Sequence, residues 1–161
     1  MKHHLTRVAV AVCVFTAACN AYADSQLDRL ESATTTISDK TRALFEAQAP
    51  ELAELLPDPT WDAPMRDAMS CYLGEIERIV GKEAAEKYLD EYEAFAQREF
   101  NDLKTLLDAP APLPDREMLQ ANDTCGVIEL SQKRMEESGY TKVFSDPDLM
   151  KKLTELMGKA D

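Results

Sequence analysis

Histidine is almost absent: the 161-residue chain has two, His3 and His4, both ahead of its first apolar stretch. No imidazole is available further along as a general base or as the commonest metal ligand. Ser-His-Asp and Cys-His arrangements are therefore excluded there, and neither Gly-x-Ser-x-Gly nor Ser-x-x-Lys occurs. A di-metal bundle site built on Glu-x-x-His is excluded for the same reason. Zinc would be left with carboxylates alone, and no segment has the spaced Asp/Asn loop with its glycine that calcium favours. No catalytic residue, metal or cofactor is expected.

Long apolar runs are missing too. The stretch "VAVAVCVFTAA" falls short of the roughly 20 residues needed to span a bilayer, so no stable membrane insertion is expected. No run of alternating β-branched residues suggests a strand. A phosphate loop is lacking as well. "GEIERIVGKE", Gly74 to Glu83, places a glycine ahead of Gly81-Lys82, but six residues separate the glycines instead of four, and Glu83 stands where a hydroxyl should hold magnesium.

What the chain does have begins with a leader. Residues 1–23 carry Lys2 and Arg7, then the apolar stretch, then the small-residue site Ala21-Tyr22-Ala23, which is the layout of a secretory signal peptide. Cleavage after Ala23 would leave residues 24–161 as a single helical domain in a bacterial periplasm or outside the cell. The competing reading makes Cys19 the lipid-bearing first residue of a lipoprotein; Ala17 and Ala18 fit it, while Thr16 stands where an aliphatic residue is usual. Cleavage after Ala23 discards both histidines, Cys13 and Cys19. Cys71 and Cys125 remain, an even number in an oxidising compartment, and are expected to be bonded to each other.

The formal net charge is −12, and loss of the leader would remove two cations and no anion. Such a chain is repelled by nucleic acid and by anionic lipid, so a protein partner would be cationic or neutral.

Helical periodicity covers most of the sequence. Leu27, Leu30, Thr34, Ile37, Thr41 and Leu44 recur at spacings of three and four, with Phe45 adding bulk at the end. "PELAELL" predicts a short helix with Pro50 in its first turn. Asp62 is a good N-cap for a helix carrying Met65, Ala68, Met69, Tyr72, Ile76, Ile79 and Val80, with Gly81 to end it. One long helix is expected from about Lys82 to Leu107, then a prolyl connection, "APAPLP". A further helix should run from a cap at Asp115 through Met118, Leu119, Cys125, Ile128 and Met135 to Gly139. After a loop, "YTKVFS", Asp146 and Pro147 open a last helix with Leu149, Met150, Leu153, Leu156 and Met157. The fold class expected is all-α: a bundle of about four main helices with short additions, pinned by one disulfide. Gly126 would let the two disulfide-bearing backbones approach closely.

Three functional readings follow. The first is an exported, non-enzymatic protein-binding or adaptor protein, of the inhibitor or immunity type, that holds its partner through Glu51, Glu54, Leu55, Leu56, Asp58 and Trp61. This segment is acidic, stiffened by proline and anchored by the one tryptophan. The second is a carrier for a small hydrophobic ligand lined by Met65, Met69, Tyr72, Tyr88, Tyr92, Phe95 and Met118, because methionine adapts its shape to what it contacts. The third is a carboxylate-based enzyme such as a glycan hydrolase, using Asp90, Glu93 or Glu99 among the aromatics of the long helix.

Overall fold

The computed structural model describes the backbone of residues 5–112, 116–156 and 158, and the side chains from Ser25 onward apart from that of Glu117. The leader side chains of residues 1–23, the cap expected at Asp115 and the apolar contact expected of Met157 lie outside the described residues. The described residues form eight α-helices and one 3-10 turn, with no strand among them. In chain order these are α1 (Leu5–Gln48), α2 (Pro50–Ala53), α3 (Ala63–Val80), α4 (Lys82–Ala96), α5 (Leu103–Asp108), α6 (Arg116–Thr124), α7 (Val127–Ser138), the 3-10 turn Tyr140–Phe144 and α8 (Pro147–Leu156). The chain is all-α as its periodicity implies, with α1, α3, α4 and the α6–α7 pair as the main elements.

Helix boundaries fall where local chemistry places them. The Asp62 carboxylate accepts from the Met65 N–H at 3.0 Å and Pro64 lies in the first turn of α3. Gly81, at φ 86°, ends α3. Asp146 accepts from the N–H groups of Asp148 and Leu149 and starts α8.

Two hydrophobic cores lie along α1. Leu27 and Leu30 pack with Trp61, Met65, Tyr72, Ile76, Leu89 and Met118 in the first. Phe45 packs with Ala49, Leu52, Leu103, Val143 and Leu153 in the second. This division explains the break in the long helix expected over 82–107. Helix α4 stops at Ala96 and α5 begins at Leu103. Between them Phe100 folds back on Phe95, with ring centroids 5.6 Å apart. Asp102 is extended, and its carboxylate accepts from the Thr105 N–H at 2.7 Å, so it caps a new helix instead of continuing the old one. Leu103 enters the second core while Leu89 is held in the first, and a single straight helix is not what joins them.

The helix expected from Asp115 to Gly139 is likewise two. Gly126 adopts φ 71° between α6 and α7, a left-handed conformation that L side chains rarely take. A Cβ built there meets nothing within 4 Å, so this glycine supplies the turn and not the close backbone approach expected of it. The segment "YTKVFS", expected as a loop, contains the 3-10 turn, whose Val143 is completely buried in the second core.

Cys71 of α3 and Cys125, at the α6–α7 break, form the expected disulfide, with Cα atoms 5.7 Å apart. Among the described residues no helix is long and apolar enough to cross a membrane.

Candidate functional site

Helical spacing brings one set of apolar and aromatic side chains to a common point. Met65, Met69 and Tyr72 lie on one face of α3, one turn apart. Tyr88 and Tyr92 do the same on α4, and Leu30 and Thr34 on α1. Trp61 closes one side from the loop ahead of α3, and Asn122 of α6 with Val127 and Ser131 of α7 closes another. Together they line a pocket of about 250 Å³ that is partly open to solvent.

Five of the seven residues expected to line a ligand site therefore meet at one cavity: Met65, Met69, Tyr72, Tyr88 and Tyr92. Phe95 is not among them, because it packs against Phe100 and under the Arg98 guanidinium, 5.4 Å from the ring centroid. Met118 is buried in the same core without lining the cavity. Leu30, Thr34, Asn122, Val127 and Ser131 went unrecognised as lining residues. Thr34 and Leu30 were visible on the α1 seam, but periodicity alone does not say which partner a seam faces.

Burial, followed by the proximity and hydrogen bond of Tyr72, pushes the Tyr88 phenol well above its ordinary range. Burial also raises Tyr92, which shares a hydrogen bond with the Thr34 hydroxyl. The Tyr88 and Tyr92 rings are tilted with centroids 6.0 Å apart. None of the described lining residues carries a charge.

The acidic prolyl segment is organised differently. Trp61 is buried at 8 % exposure in the first core, so its ring belongs to the cavity wall and not to an outward-facing surface. Leu55 and Leu56 pack against the second core. Glu54 and Asp58 are exposed, and Glu51 pairs with Lys152. Three basic residues distant in sequence hold this region. Arg42 donates to the carbonyls of Ala53, Leu56 and Pro57, and Arg134 donates to those of Asp58 and Thr60 and pairs with Asp62 at 2.9 Å. Bonds from Thr60 hold the Asp58 carboxyl below the usual range, with Arg134 and Arg42 adding to the effect. Between Glu46 and Asp62 the sequence has no basic residue, yet in space the segment is substantially compensated.

The carboxylates of α4 are held by one arginine. Arg29 reaches across from α1 to Glu86 at 2.7 Å, Asp90 at 2.6 Å and Glu93 at 2.8 Å. Its hydrogen bonds hold the Glu93 carboxyl below the usual range, opposite to the shift a general acid needs. Glu99 pairs with Lys40 at 3.0 Å. The folded pKa of Glu93 lies below an unfolded value near 4.5, so the pairing contributes fully above that value and is lost as the pH falls through the folded pKa. Arg29→Met should lower stability at pH 7 by on the order of 1 kcal/mol, discounted for the partial exposure of the carboxylates. In urea unfolding the gap to wild type should narrow between pH 7 and pH 3.5, because the Glu93 pairing is lost as the pH falls through its lowered pKa. A gap that does not change with pH would show that the network contributes nothing electrostatic.

Among the described residues no group of three or more His, Cys, Asp or Glu side chains could hold a metal ion. No protein family model, curated protein or solved structure matches the chain.

Proposed function

We propose that this is an exported, non-enzymatic binding protein that holds a small hydrophobic molecule in the cavity between α1, α3, α4, α6 and α7. One observation carries the reading: Met65, Met69, Tyr72, Tyr88 and Tyr92, with Trp61, converge on a space of about 250 Å³. An enclosed apolar cavity of about 150 Å³ holds benzene, and this pocket, partly open to solvent, offers a larger space. Export is supported by the leader layout of residues 1–23 and by the Cys71–Cys125 bond, which suits an oxidising compartment. The protein-binding alternative draws less support, since Trp61, Leu55 and Leu56 pack inward and the acidic segment is clamped by Arg42, Arg134 and Lys152.

Toluene tests the cavity directly. A ligand present at 100 times its Kd stabilises the native state by about 2.7 kcal/mol, so saturating toluene should raise Tm by several degrees and alter Trp61 fluorescence. Ser131→Phe, at a half-buried position on the cavity wall, should abolish both responses while leaving the helical circular dichroism unchanged. An equal Tm rise in the wild type and the filled variant would place the toluene elsewhere.

A further inference from the structure

The cavity has two unlike walls, and their chemistry narrows the ligand. Tyr72, Tyr88, Tyr92 and Trp61 present ring surface on the α3–α4 side, with Met65 and Met69 beside them. Rings and thioethers both favour flat, polarisable partners. Across from them stand the Asn122 amide and the Ser131 hydroxyl. Neither makes a side-chain hydrogen bond to another of the described residues, whereas Tyr88 is bonded to Tyr72 and Tyr92 to Thr34. The polar groups open to an occupant are thus concentrated on the α6–α7 wall.

Among the described residues the lining contains no charged side chain. A carboxylate or ammonium seated against it would lose part of its hydration without gaining a counter-ion there, which is unfavourable. The volume of about 250 Å³ accommodates one ring with substituents.

Resting on the cavity reading above, we infer that the ligand is a neutral, single-ring aromatic molecule bearing one hydrogen-bonding substituent, its ring against the tyrosines and Trp61 and its polar group toward Asn122 and Ser131. A substituted phenol has this chemistry. The amide of Asn122 can donate or accept, and the hydroxyl of Ser131 can do both, so a phenolic hydroxyl finds a partner in either orientation.

Isothermal titration of the oxidised protein with four probes tests this: 4-methylphenol, 4-methylcyclohexanol, benzoate and toluene. The inference expects 4-methylphenol to bind at least tenfold more tightly than 4-methylcyclohexanol, which keeps the hydroxyl and loses the ring. It expects the same margin over benzoate, which keeps the ring and adds a charge. Asn122→Leu should weaken 4-methylphenol about tenfold and leave toluene within twofold. Ser131→Ala supplies the same comparison should Asn122→Leu fail to fold. Binding of 4-methylcyclohexanol or benzoate within threefold of 4-methylphenol overturns the ligand class. So does an equal loss of 4-methylphenol and toluene in the folded variants. In either case toluene binding would still support the cavity. Absence of binding by all four probes removes both the class and the cavity reading.

Discussion

Replacing Cys71 and Cys125 together by serine is expected to lower stability at pH 7 by about 4 kcal/mol. The bond joins residues 54 apart, so breaking it restores a large loop's freedom to the unfolded chain. The folded state should feel the loss locally as well. Cys125 stands between Asn122 and Val127, both on the cavity wall, at the point where Gly126 turns α6 into α7. With the bond gone, that wall is held to α3 by packing and by the Arg134–Asp62 pair. The double serine variant should therefore bind toluene more weakly, as well as unfold at lower urea. A free-energy loss below about 1 kcal/mol in urea unfolding would mean that the unfolded chain keeps these segments together without the bond.

Leu89→Ala is expected to cost about 2 to 5 kcal/mol. Leu89 is completely buried on α4, facing the first core, and its neighbours there include Leu30 and Ile76. Truncation removes the transfer free energy of the lost carbons and leaves a void that backbone relaxation fills only in part. Leu119→Ala provides the contrast. Leu119 is 51 % exposed on α6, so the same chemical change should stay within about 0.5 kcal/mol. Chemical unfolding of both variants measures the difference, and equal losses would mean that the packing around Leu89 is not that of a closed core.

Much of the fold was legible because its signals are local. Asp62, Gly81, Gly139 and Asp146 each act on residues within one turn, and each stands at a helix boundary. The disulfide was legible by counting. The cavity set was largely legible because Met65, Met69 and Tyr72 and, separately, Tyr88 and Tyr92 share helix faces. Periodicity failed where two helices in succession serve different cores. Leu103 and Leu106 continue the apolar spacing of α4, yet Leu103 belongs with Phe45 and Val143. The capping carboxylate of Asp102 and the left-handed turn at Gly126 were the local signs of those breaks. The roles of Arg29, Arg42 and Arg134 were not legible, since each reaches carboxylates or carbonyls on another element and helical spacing says nothing of such partners. Trp61 illustrates the same limit: a lone tryptophan in an acidic prolyl loop can serve as a binding anchor or pack into the core, and here it packs.

The Cys71–Cys125 disulfide also closes part of the chain covalently into a ring. Residues 71–125 form the ring, and it contains α4, α5 and the prolyl connection after α5. Pro110 and Ala111 of that connection are exposed, which is where a protease finds accessible backbone. A cut there opens the ring without releasing a fragment, because Cys71 and Cys125 still join the two halves. In an oxidising, protease-bearing environment the nicked molecule would stay one covalent piece with both cavity walls attached. Reduction would then be the step that lets them part.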